Sequence, residues 1–101
     1  MKRLTAKTPE GWVIPREELV PLDGGMGGPA ARRLAAFEEM AQRLLDQQEE
    51  LSARLEGLRR EGKTKTVQFR ELMGKKLMNT QMLSLLQAYG LLEEGEESAK
   101  D

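Results

Sequence analysis

The sequence predicts an all-α fold: an antiparallel hairpin of two long, coiled-coil-like helices, with a short irregular or β-hairpin arm before them, assembled as a homodimer or higher oligomer. Three observations carry this expectation. Apolar residues recur at alternating spacings of three and four from Leu34 to Leu58, glycines bound two helical stretches joined by a short turn, and the second stretch is apolar on two sides. A chain of 101 residues allows one small core, so a two-domain enzyme is excluded.

The first 29 residues read as an arm and a Gly-rich linker. Arg3 to Lys7 and Trp12 to Ile14 are short β-compatible stretches, and Thr8-Pro9-Glu10-Gly11 between them suits a tight turn. The run Asp23-Gly24-Gly25-Met26-Gly27-Gly28-Pro29 has linker composition. The arm holds too few apolar residues for a core of its own and is expected to pack on the helices. Residues 30–92 read as the helical hairpin.

In the first helix, about residues 30–60, the residues Leu34, Phe37, Ala41, Leu44, Gln48, Leu51, Leu55 and Leu58 occupy the a and d positions of four heptads. Pro29 suits a first turn and Gly62 a C-terminal stop. Such a helix extends roughly 45 Å and cannot bury its stripe alone. Gln48 breaks the leucine series, either as a device that fixes register or as a point where the helix meets water.

The second helix spans about residues 66–89, with Thr64 or Thr66 as N-cap and Gly90 as the stop. A helical wheel puts Phe69, Leu72, Met73, Leu77 and Leu83 on one side, and Val67, Met78, Met82, Leu85, Leu86 and Tyr89 on the other. The first set would cover helix one. Met78, Met82, Leu85, Leu86 and Tyr89, with Trp12 of the arm, are the expected oligomer or partner interface. A Met-rich stripe of this kind serves either as ordinary core or as an adaptable contact surface. Residues 93–101 are acidic and expected to be disordered.

The absence of His and Cys removes common zinc sites, thiol nucleophiles, His-based triads and any disulfide framework. Sequence-adjacent carboxylates such as Glu38-Glu39 diverge on a helix, so catalysis has no support and no cofactor or metal is expected. Sixteen basic residues balance seventeen acidic ones, no apolar run reaches membrane-spanning length, and the default location is the cytoplasm of the cell that makes the protein.

One local excess of charge stands out. Between Arg54 and Lys76 eight basic residues face three acidic ones, a balance of +5, around Gly62-Lys63-Thr64-Lys65-Thr66 at a helix start. Arg59, Arg60, Lys63, Thr64, Lys65, Thr66 and Arg70 are therefore the candidate anion or nucleotide site, because a helix N-terminus offers unpaired N–H groups and positive dipole. The alternative is a solvated tip with a capping threonine. Duplex DNA is not the expected partner, since the acidic residues of helix one would repel it.

Met1-Lys2-Arg3-Leu4-Thr5, Arg33-Leu34-Ala35-Ala36-Phe37-Glu38, Glu61-Gly62-Lys63-Thr64-Lys65-Thr66-Val67-Gln68-Phe69-Arg70-Glu71-Leu72-Met73, Lys76-Leu77-Met78-Asn79 and Tyr89-Gly90-Leu91 follow one another in an order that resembles small helical proteins of phages and prophages of Firmicutes. The resemblance implies a counter-defence role and assigns no site residues. Two functions follow: a stoichiometric inhibitor that contacts a host defence protein, or an oligomeric sponge that sequesters an anionic cyclic nucleotide immune signal at its basic tips.

Overall fold

The computed structural model describes residues 1–93 and contains two long helices preceded by a small β region, in agreement with a helical hairpin. The acidic tail expected over 93–101 lies, beyond Glu93, outside the described residues. The elements run in the order β1 (Ala6–Thr8), β2 (Gly11–Val13), a 3-10 turn at Arg16–Glu18, β3 (Val20–Leu22), β4 (Gly25–Gly27), α1 (Pro29–Arg60) and α2 (Val67–Ala88). They form two compact units, Met1–Met40 and the chain from Ala41 onward, so the division falls inside α1 rather than at its start.

In the first unit β1 pairs antiparallel with β2, Lys7 opposite Trp12. The turn closes through Thr8, whose hydroxyl donates to the Gly11 carbonyl at 2.8 Å and accepts from Glu10 N–H at 3.2 Å. The Gly-rich run expected as a linker forms a second hairpin instead, β3 with β4, in register Val20 to Gly27. Turn geometry at Gly24, with φ +98°, and close backbone approach at Gly28 are physical reasons for its composition. A Cβ on Gly28 would lie 2.6 Å from the Glu18 carbonyl oxygen, and its φ of +114° disfavours other residues. Leu4 is buried, Lys2 pairs with Glu18 at 3.3 Å, and Arg33 of α1 donates to the Lys2 carbonyl at 2.8 Å. The arm is thereby held to the first turns of α1.

In the second unit α1 presents Ala41, Leu44, Gln48, Leu51, Leu55 and Leu58, all buried or half-buried. The facing seam of α2 is Phe69, Leu72, Lys76, Asn79, Leu83 and Leu86, with the same three-four spacing. Leu51, Leu55 and Leu72 form the core, flanked by Leu58 and Phe69, and Leu55 is fully enclosed. Gln47 Oε1 accepts from Asn79 Nδ2 at 3.2 Å, and Gln48 Nε2 donates to Thr80 Oγ1 at 2.9 Å. These contacts fix an antiparallel register that places Leu83 level with Leu44 and Leu86 level with Ala41.

The rotation of α2 differs from the one its apolar wheel suggested. Leu86 lies on the seam facing α1, whereas Met73 and Leu77 are exposed. The buried amide of Asn79, only 4% exposed, sets that rotation, because it must point at Gln47 to be satisfied. Leu34, expected in the seam of α1, is exposed as well.

Leu55→Ala should cost about 2 to 5 kcal/mol, enough to unfold a helical pair this small, whereas Leu34→Ala should change stability by no more than about 0.5 kcal/mol. Urea denaturation followed by circular dichroism measures both, and similar losses at the two positions would contradict the register described above.

Candidate functional site

The tip between the helices is built by two capping devices. At the end of α1, Gly62 adopts φ +73°, Gly62 N–H donates to the Arg59 carbonyl, and Lys63 N–H donates to the Leu58 carbonyl, which is the Schellman pattern. At the start of α2 the N-cap is Thr66 rather than Thr64. Its hydroxyl accepts from Phe69 N–H at 3.1 Å and donates to the Lys63 carbonyl at 3.1 Å. Thr64 is exposed.

Arg59, Arg60, Lys63, Lys65 and Arg70 are all exposed, and several have partners of their own. Arg59 and Arg60 share Glu56 at 3.8 and 4.0 Å, and Lys63 pairs with Glu61 at 3.1 Å. Arg59 also lies over the Phe69 ring, 5.4 Å from its centroid, with Nη2 at 3.8 Å from Met73 Sδ. Only Lys65 and Arg70 among the singled-out cations have no carboxylate within 4.0 Å among the described residues. The Thr66 hydroxyl is engaged at both its donor and its acceptor, and the seven residues lie at one end of the helix pair, in the last turn of α1, the connecting turn and the first turn of α2.

The outer face of α2 has the opposite character. Met78 and Leu85 are about 60% exposed, Met82 is 40% exposed and Tyr89 is 77% exposed. With Gly74 they form a stripe of repeating threes and fours, turned away from the Leu72–Asn79 seam, with the charged Glu71 one step before Gly74 on the same line. From Met78 to Leu92 the chain carries no charged residue. A Cβ added to Gly74 would meet nothing within 4 Å, so no other segment of the described chain approaches it.

Trp12 belongs to the first unit, 58% exposed on β2, with the Arg3 guanidinium 5.0 Å and the Lys7 ammonium 5.4 Å from its ring centroid. Sequence reasoning had not connected those two cations with Trp12. The direct pairing of Lys7 with Trp12 across the hairpin was the available signal. Among the described residues no group of three or more Asp or Glu is placed to hold a metal ion.

Thr66→Ala should cost about 1 kcal/mol through loss of the cap, while Thr64→Ala should be neutral within about 0.5 kcal/mol. Thermal melts of the two variants check this, and a larger loss at Thr64 would reassign the cap. No family model, curated protein or solved structure matches the chain.

Proposed function

We propose that this chain is a non-enzymatic binding protein that self-associates through the outer face of α2 and acts by stoichiometric contact with another protein. The observation that carries the reading is the uncharged stretch from Met78 to Leu92, whose outward side chains leave a contiguous apolar stripe in a chain that is otherwise one-third charged. A surface of this kind marks an interaction site. A second copy of the same stripe is its simplest complement, because closed symmetry pairs each apolar position with another and Gly74 lets a helix come close.

Magnitudes bound the strength of that association. Covering Met78, Met82, Leu85 and Tyr89 from their present exposure to full burial contributes about 1 to 2 kcal/mol each, so two faces together give about 8 to 16 kcal/mol. The cost of association is about 4 to 15 kcal/mol, which leaves a concentration-dependent assembly rather than an obligate one. In the setting implied by the resemblance to phage proteins, the protein target is a host defence factor and the chain is its inhibitor, working in the bacterial cytoplasm. No described helix is long and apolar enough to cross a membrane. The nucleotide-sponge reading draws less support, since Arg59, Arg60, Lys63 and Thr66 are engaged within the tip itself.

Light scattering across the micromolar range should show a mass rising above the 11.4 kDa of one chain, and Met78→Glu with Leu85→Glu should return it to that value with helicity retained. A wild-type mass that stays at 11.4 kDa would overturn the self-association.

A further inference from the structure

We propose that the outward face of the first hairpin is a docking surface for an acidic segment of another protein, with Trp12 as its anchor and Arg3 and Lys7 as carboxylate receptors. The proposal rests on the reading of the chain as a contact protein and names the chemistry of its partner; it does not depend on the outer face of α2.

Strand geometry creates the surface. Alternation carries Lys7 and Trp12, paired across β1 and β2, to one face of the hairpin, and Ala6 and Val13 to the other. Arg3 joins the first face by placing its guanidinium 5.0 Å from the Trp12 centroid, and exposed Ile14 follows at the end of β2. The indole orients both cationic heads by lying against them, and an N–H donor that does not point at the ring stays available to another partner.

Those donors are largely unspent. The one side-chain hydrogen bond Arg3 makes goes to Thr5 Oγ1 at 3.3 Å, and among the described residues neither Arg3 nor Lys7 has a carboxylate within 4.0 Å. Lys2, two residues before Leu4, shows the contrast: it is paired with Glu18. Two oriented, unpaired cations against an exposed tryptophan and an isoleucine match a segment that offers carboxylates beside an apolar side chain. Trp and Arg are also the residue types that anchor protein interfaces.

Nucleic acid and membrane fit the face less well. A base would need the ring face over which Arg3 and Lys7 already lie, and no other aromatic residue precedes Phe37 to extend a stacking platform. An anionic bilayer is recognised by clusters of four to eight basic residues, more than the pair present here.

Trp12 is the chain's single tryptophan, so its fluorescence reports the site directly. The probe is a synthetic peptide of alternating Glu and Leu, compared with the same peptide carrying Gln for Glu, with phosphatidylserine vesicles and with oligo-dT. The acidic peptide should shift Trp12 emission saturably, the Gln peptide should not, and Arg3→Ala with Lys7→Ala should weaken binding at least tenfold. The Met78→Glu, Leu85→Glu variant should bind the peptide like wild type, which separates failure here from failure of the self-association. The proposal is overturned by no response to the acidic peptide, by an equal response to the Gln peptide, by unchanged affinity in the double variant with circular dichroism intact, or by tighter binding of vesicles or oligo-dT.

Discussion

Everything in the second unit depends on the pair of amide contacts across α1 and α2. Leucines are interchangeable: a seam of Leu against Leu tolerates a shift of one heptad with little change in buried area. Asn79 is not, because a buried amide facing only leucines is left unsatisfied at a cost of about 1 to 3 kcal/mol. Only the register that sets Asn79 beside Gln47 and Thr80 beside Gln48 avoids this. Thr80 continues the relay by donating to the Lys76 carbonyl at 2.9 Å. The layer is incomplete, since Gln48 Oε1 is buried without a hydrogen-bond partner among the described residues. That orphan lowers stability, and the remaining bonds repay it in uniqueness of register.

The same contacts decide what faces outward. Once Asn79 points at α1, Met78 beside it is turned about 100° round the helix and faces away, while Met82, about 60° round, lies at the edge of the seam and is 40% exposed. Leu86, seven residues beyond Asn79, is carried to the inside for the same reason. The polar layer therefore creates the apolar outer stripe, and the candidate interface is a consequence of the register.

How much of this was legible in the sequence follows from the same physics. The α1 seam could be read because five of its six positions from Ala41 to Leu58 are apolar, and the helix ends could be read because Pro29, Gly62 and Gly90 have single conformational uses. The α2 seam could not be read by counting apolar residues, because Lys76 and Asn79 occupy two of its six positions while Met73, Leu77 and Met78 lie off it. Gln48 was noticed, but its partner could not be named without knowing which α2 residue came level with it. The second hairpin was hidden by composition, since glycines required for close approach look the same as glycines of a linker. At the tip, charge was counted correctly, yet a net +5 says nothing of Glu56 and Glu61 folding back onto Arg59, Arg60 and Lys63.

The two remaining surfaces rest on different forces, and that difference has a physical consequence. From Met78 onward the outer face of α2 is uncharged, so the self-association proposed for it would be insensitive to screening, and excluded salts such as sulfate would strengthen it. The Trp12 face attracts through Arg3 and Lys7, both exposed, and at 0.15 M ionic strength the screening length is already about 8 Å. Its charge component weakens as salt rises, leaving the contacts of Trp12 and Ile14. Of the two proposed contacts, one would be set by the area it buries and the chain's own concentration, and the other by the charge of what it meets. Two contacts on one polypeptide raise each other's effective concentration without any new interaction, provided both partners are engaged together. Under the two proposals the helix stripe and the two-cation arm are each modest alone, and joint engagement is how so small a protein would acquire a firm grip.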